Sequence, residues 1–321
     1  MPVDLEPFVP AWWCRRAHAQ TIASALRLVP SIPTLQRERW ETSDGDVLGL
    51  DVVGADAGRP ILIVLHGFES SSRSPQIRGF LRAASRRRWR ALALNFRSCS
   101  GEANRLRRSY HAGETSDVRW VMRRVAEQHP GDPIYCVGIS LGGNVLLKYL
   151  GESRELPPAL RAAAAISTPF DLAVCARAFE DGVLNRFYMR RLLRSLFRKT
   201  RAKLASYPDL VDARRLATVR TIREFDDVVT APTNGFANAQ AYWTASSCRQ
   251  FLPAIQRPTL LINALDDPLI PSTVLPHEEV RRNSHLTGAF PESGGHAGFI
   301  SSDSAHPVWA EQAVFRFFES I

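Results

Sequence analysis

Ser140 lies in Gly138-Ile139-Ser140-Leu141-Gly142, where one periodicity gives way to another. Ile134 to Ile139 is an apolar run short enough for a buried strand, and Asn144 to Leu150 carries apolar residues at helical spacing. A serine on a sharp strand-to-helix turn takes strained backbone angles. Glycines two residues away on either side leave room where a Cβ would clash. Such a turn pushes Oγ out over the sheet edge, and the helix behind it aims unpaired N–H groups at any developing anion. The chemistry implied is nucleophilic attack. A hydroxyl is a poor nucleophile at neutral pH, so it needs a histidine base, and the histidine needs a carboxylate to fix its tautomer. Without those partners Ser140 would be a bystander in a glycine-rich turn.

Candidate partners are present downstream. Asp266 and Asp267 follow the apolar run Thr259 to Ala264, and either could be the carboxylate or simply end the strand and cap its turn. His296 stands in Ser293-Gly294-Gly295-His296-Ala297-Gly298-Phe299, where glycines let the backbone bring a ring over the sheet edge. It is one of eight histidines, and position and glycine context single it out. Stabilising a tetrahedral oxyanion requires backbone N–H donors. One is that of Leu141, after the nucleophile. The other is assigned to Phe68 in His66-Gly67-Phe68, which ends the run Pro60 to Leu65. His66 reads as a support for that loop. Arg97 reads as a loop organiser and Asp117 as an acid at a helix start. No dense His/Asp/Glu cluster suggests a metal, and no P-loop or Gly-x-Gly-x-x-Gly suggests a nucleotide, so no cofactor is expected.

The elements that must position these residues alternate. Arg37–Thr42 and Val47–Val53 form a hairpin signal around Ser43-Asp44-Gly45-Asp46. Strands are then predicted at Pro60 to Phe68, Trp89 to Phe96, Ile134 to Ile139, Ala162 to Ser167, Thr259 to Ala264 and His285 to Phe290. Helices are predicted at Pro75 to Arg87, Ala112 to Gln128, Asn144 to Leu150 and His306 to Ser320. An early antiparallel hairpin followed by β–α alternation is the pattern of an α/β-hydrolase fold: a mostly parallel twisted sheet of about eight strands with helices on both faces. The 321 residues, 45% of them apolar, suit one such domain over 1–321. Residues 170–258 break the rhythm and read as an inserted, mainly helical cap, basic from Tyr188 to Leu204 and more irregular from Phe225 to Trp243. Phe8 to Leu28 mixes Trp12, Trp13, Ile22 and Leu26 with Arg15, Arg16 and His18. Packing on the domain is the expected role, an interfacial or substrate-entrance element the alternative.

Five widely spaced cysteines without Cys-x-x-Cys, and no signal peptide in Met1 to Pro10, lead to an expectation of reduced thiols in a cytoplasmic protein. The net charge of +9 comes with arginine clusters but no nucleic-acid motif. Solvated helix faces are expected, not a nucleic-acid site. A transient contact with lipid or a membrane surface is left open, and oligomeric state is not addressed by the sequence.

With these residues assembled the chain resembles the YheT-like family, the fourth family of the AB hydrolase superfamily, over nearly its whole length. The marks are His18-Ala19-Gln20-Thr21-Ile22, Asn95 to Gly101, Tyr110 to Asp117, Gly138 to Glu152, Phe225-Asp226-Asp227 with Thr230-Ala231-Pro232 and Gly235-Phe236, Asn263 to Pro268, and Gly294 to Phe299. The resemblance implies a serine hydrolase of acyl esters with a triad at Ser140, Asp267 and His296. The superfamily's acid is followed by three residues and a proline, which Asp267-Pro268-Leu269-Ile270-Pro271 satisfies. His66-Gly67 departs from the family's common Pro-Gly and leaves the backbone role intact. Eukaryotic relatives often carry an N-terminal membrane anchor, which is not expected here. The His-x-x-x-x-Asp pattern discussed for acyltransferases is missing. The function expected is therefore a carboxylic ester hydrolase acting through an acyl-enzyme on Ser140, with a small-molecule acyl ester as substrate. The alternatives are a thioesterase or acyltransferase on the same triad, or a non-catalytic acyl-lipid binding module.

Overall fold

A computed structural model of the chain describes residues 5–27, 34–54, 58–304 and 306–321. Leu28, where the N-terminal segment read from the sequence ends, and residues 1–4 lie outside the described residues. Among those described, eight strands form one sheet: β1 Gln36–Glu41, β2 Val47–Val53, β3 Ile61–Leu65, β4 Arg90–Asn95, β5 Ile134–Ile139, β6 Leu160–Ile166, β7 Thr259–Ile262 and β8 Leu286–Ala289. Their order is β1-β2-β4-β3-β5-β6-β7-β8, antiparallel in the first two pairings and parallel from β4 to β8.

The continuous apolar runs of the central strands follow from burial on both faces. Ile61, Ile63 and Leu65 point into one core with Cys136, Ala163, Ala165 and Leu261. Leu62 and Val64 point into the other with Val137, Ile139, Ala162, Ala164 and Ile262. Helices α1 Ala17–Leu26, α2 Pro75–Arg86, α3 Ser116–Gln128 and α4 Leu141–Glu152 precede β6 or feed it. Between β6 and β7 come α5 Leu172–Ala178, α6 Gly182–Leu204, α7 Ala213–Thr218, α8 Ile222–Phe225, a π-helix Asp226–Thr230, α9 Ala231–Thr233 and α10 Ala239–Ser246. Helices α11 His277–Arg282 and α12 Trp309–Glu319 complete the chain. α3 and α4 cover the first core; α2 and α12 cover the second.

Three local expectations change. α3 starts at Ser116, not Ala112, because Ala112 is pinned in a turn: its N–H donates to the Tyr242 hydroxyl and its carbonyl accepts from Asn144. The stretch from Phe225 to Trp243 is not irregular but a chain of short helices broken by the π-turn. Asp117 does more than sit at a helix start. It grips the fully buried Arg97 guanidinium bidentately at 2.7 and 2.8 Å, and Arg97 also donates to Asp46 at 2.7 Å. Arg97 thus ties β4's exit loop to the β1–β2 hairpin and to α3. All five cysteines are buried and unpaired.

Candidate active site

Register sets the site. Leu65 of β3 pairs with Gly138 of β5, and Ile166 of β6 with Ile139. The loops leaving these strands therefore emerge side by side at the carboxyl edge of the parallel sheet, where open α/β sheets place their ligands. Ser140 takes φ 54° and ψ −120°, a strained conformation for a residue with a Cβ. A Cβ on Gly138 would come 2.4 Å from the Gly142 carbonyl oxygen, and one on Gly142 2.5 Å from that of Leu65. Both glycines are required by the turn.

The structure brings Ser140, His296 and Asp267 together. His296 Nε2 is 3.0 Å from Ser140 Oγ. His296 Nδ1 is 2.9 Å from Asp267 Oδ2 and 3.2 Å from Oδ1. A carboxylate only accepts, so Nδ1 carries the ring proton and Nε2 is left as acceptor for the serine hydroxyl. Asp267 Oδ1 also accepts the N–H groups of Leu269 and Ile270 at 2.9 and 3.1 Å, which fixes its plane. Asp266 is turned elsewhere: its Oδ1 accepts the Gly295 N–H at 2.9 Å, and burial raises its pKa above the usual carboxylate range.

Phe68 and Leu141 line the same cavity as Ser140. Neither backbone N–H has a hydrogen-bond partner among the described residues. His66 is fully buried. Its Nε2 accepts the Phe96 N–H at 3.1 Å, and its Nδ1 donates to the Gly67 carbonyl at 2.7 Å. Burial holds its pKa down at about 4, so it stays neutral and shapes the loop. The same loop is tied from outside. Tyr110 donates to Glu69 Oε1 at 2.7 Å and accepts the Glu69 N–H at 2.9 Å, and Lys199 of α6 pairs with Glu69 at 2.9 Å.

Several positioning residues escaped sequence reasoning. Thr21 Oγ1 accepts the His296 N–H at 2.9 Å. Gln20, fully buried, accepts from Ile300 N–H and donates to the carbonyls of Cys14 and Ile300. Ser24 donates to the Ala297 carbonyl at 2.6 Å, and Ser167 accepts the Ala297 N–H at 2.9 Å. These residues hold the histidine loop. The Gln20-Thr21 pair inside the His18 to Ile22 motif was the one available signal. Asn144, four residues after Ser140, is also buried. It donates to the carbonyls of Ala112 and Ser246 and accepts the Cys248 N–H, stapling α4 to two loops.

Two chambers meet at Ser140 and His296. The inner one, about 140 Å³, runs beneath α5, α6 and the π-helix past Leu172, Leu196, Phe225, Val229 and Trp243. The outer one, about 510 Å³, opens between α1 and α6 past Ile22, Leu26, Leu184 and Phe187. A carboxyl group lies in the inner wall. Asp226 accepts the Trp243 indole N–H at 2.8 Å, and burial lifts its pKa to about 7.

The model of the α/β-hydrolase fold family matches residues 60–303. The chain is 38% identical over 316 residues to the Escherichia coli (strain K12) protein named "Putative esterase YheT", with 96% of this chain and 91% of that one covered. The chain belongs to the YheT-like family of α/β hydrolases. It is also 28% identical to mouse "Phospholipase ABHD3", over 98% of this chain and 77% of that one. Among solved structures it is similar to the Pyrococcus furiosus esterase Pf2001, with a TM-score of 0.61, 16% identity and coverage of 92% of this chain and 96% of that one. That last likeness concerns the fold. The family is of esterase and lipase type.

Proposed function

We propose that this YheT-like chain hydrolyses carboxylic esters through an acyl-enzyme on Ser140. The observation that carries the reading is the continuous chain Ser140 Oγ, His296 Nε2, His296 Nδ1 and Asp267 Oδ2, with links of 3.0 and 2.9 Å. Its relatives named as esterase and phospholipase agree with an acyl ester as the substrate class.

His296 takes the Ser140 proton as Oγ attacks the acyl carbonyl. The carbonyl oxygen becomes an anion facing the free N–H groups of Phe68 and Leu141, each donor contributing about 3 kcal/mol in sites of this kind. Collapse breaks the ester C–O bond, and His296 returns the proton to the leaving alcohol. Water then enters, gives its proton to His296, and attacks the acyl-enzyme. The acid is released as Ser140 regains its proton. Residues 170–258 act as a cap whose apolar side chains line the inner chamber and receive the acyl chain, while the alcohol leaves through the outer chamber.

The test is hydrolysis of p-nitrophenyl esters of increasing chain length by wild type and Ser140→Ala. Turnover by wild type with a loss of about 10⁴-fold or more in the variant is the expected result. A wild-type protein inert on every ester, or a Ser140→Ala protein as active as wild type, would overturn the proposal.

A further inference from the structure

The mouth of the outer chamber is rimmed by apolar side chains that stand exposed among the described residues. On α1, Leu26 is 72% exposed and Ile22 is exposed beside it. On the first turns of α6, Val183 is 81% exposed, Phe187 is 56% exposed and Leu184 is also exposed. Single exposed apolar residues are ordinary. Here, however, Ile22 and Leu26 line one side of the opening while Leu184 and Phe187 line the other, with Ser140 and His296 at its floor. The His18 ring meets the Tyr188 hydroxyl at 3.2 Å and joins the two helices at the rim.

Beyond this rim α6 changes character. Its 23 residues hold no acid and extend about 35 Å. Arg186, Arg190, Arg191, Arg194, Arg198 and Arg201 are all exposed. None has a carboxylate partner among the described residues. Arg186, Arg190 and Arg194 recur every fourth residue, one per turn along one flank. With Arg220 they line a shallow groove of about 510 Å³ in which Glu180 is the one acid. Some exposed arginines elsewhere are paired, as Arg39 is with Glu102 and Arg107 with Asp209, and others, such as Arg154 and Arg214, are not, among the described residues. What marks the outer face of α6 is that its cations stand in a row on one helix that holds no acid of its own.

We propose that α6 and the end of α1 dock the protein on a membrane bearing anionic lipids. The Ile22, Leu26, Leu184 and Phe187 rim would enter the headgroup layer, and the α6 arginines would hold lipid phosphates. An apolar tip with an arginine-rich flank is the composition of an interfacial helix. Guanidinium groups bind phosphate oxygens in bidentate fashion. Docked this way, the outer chamber opens onto the lipid, and an ester with a long acyl chain reaches Ser140 without crossing water. The functional benefit rests on the ester-hydrolase reading; the docking itself does not.

The test is flotation of the full chain with vesicles of phosphatidylcholine, with and without phosphatidylglycerol, at low and high salt. Wild type should float with the anionic vesicles, be released by salt and ignore pure phosphatidylcholine. An arginine near an anionic surface contributes about fivefold in affinity. The triple variant Arg190→Gln, Arg194→Gln, Arg198→Gln should therefore bind about a hundredfold more weakly while still hydrolysing p-nitrophenyl acetate as wild type does, which reports its fold. Leu26→Ser with Phe187→Ser should weaken binding to the anionic vesicles at low salt. Ser140→Ala should float as wild type does. Wild type left at the bottom of the gradient, or a triple variant that floats undiminished, overturns the proposal. A protein that floats as expected but turns over no ester leaves the docking standing and removes the catalytic reading instead.

Discussion

Replacing Asp267 by asparagine tests the site at the level of one proton. Oδ1 of Asp267 receives the N–H groups of Leu269 and Ile270, while Oδ2 faces His296 Nδ1 at 2.9 Å. Asparagine keeps its oxygen where two backbone donors demand an acceptor, so its NH₂ turns toward the imidazole. Flipping the amide would set that NH₂ against both N–H groups and leave buried donors unsatisfied, at about 1–3 kcal/mol each. With an amide donor opposite Nδ1, the ring must present a lone pair there and carry its proton on Nε2. Nε2 is the atom 3.0 Å from Ser140 Oγ. A protonated Nε2 cannot accept the serine proton. In a Ser-His-Asp site the wrong tautomer lowers kcat by about 10⁴, or about 5.5 kcal/mol of transition-state stabilisation.

Asp266→Asn is the matched control. Its oxygen would still accept the Gly295 N–H, so kcat should stay near the wild-type value. The assay is kcat and KM on p-nitrophenyl butyrate together with the rate of labelling by a fluorophosphonate. Melting temperatures establish that both variants fold, which their near-identical shape favours. The reasoning is refuted if Asp267→Asn keeps more than a tenth of wild-type kcat, or if Asp266→Asn is the more damaging of the two.

Three further predictions address residues that act through others. Thr21→Val removes the acceptor for the His296 N–H; kcat should fall by about 10–100-fold with KM held, since a small misplacement costs that much, and Thr21→Ser should restore it. Arg97→Met leaves Asp46 and Asp117 buried without their cation, so urea titration should show a loss of about 3–5 kcal/mol of stability. Asp226 has its carboxyl raised to about 7 by burial. The folded state then holds a proton that the unfolded chain has released once the pH exceeds about 4, so the contribution of Asp226 to stability should fall as pH rises from about 4 to 7 and level off above that, against the opposite slope from the buried neutral His66 and His111. Asp226→Asn, which can still accept from Trp243, should remove that falling contribution in melts recorded across the same pH range.

What could be read from the chain was what local chemistry encodes. The glycines around Ser140 and His296 mark backbone positions no other residue tolerates, and the unbroken apolar runs of β3 and β5 mark strands covered on both faces. Pairings between distant segments left no such trace: nothing near Arg97 in the sequence announces Asp46 or Asp117, and nothing near Glu69 announces Lys199. The N-terminal segment is the instructive failure. From Phe8 to Leu28 the sequence favours packing on the domain over an interfacial or entrance element. Phe8 does pack, against Phe299 and Trp309. In α1, by contrast, the buried residues are Gln20 and Ser24, and Ile22 and Leu26 face outward. The inversion has a physical cause. α1 lies on the loop that carries His296, and loop backbone must find hydrogen-bond partners when it is buried. Gln20, Thr21 and Ser24 supply them, so the polar stripe turns inward and the apolar stripe is left at the chamber mouth. An amphipathic pattern reports which face is buried only when the neighbour is itself apolar. Where the neighbour is a loop such as the one bearing His296, the same pattern is reversed, and the reversal is what leaves an apolar rim exposed at the chamber mouth.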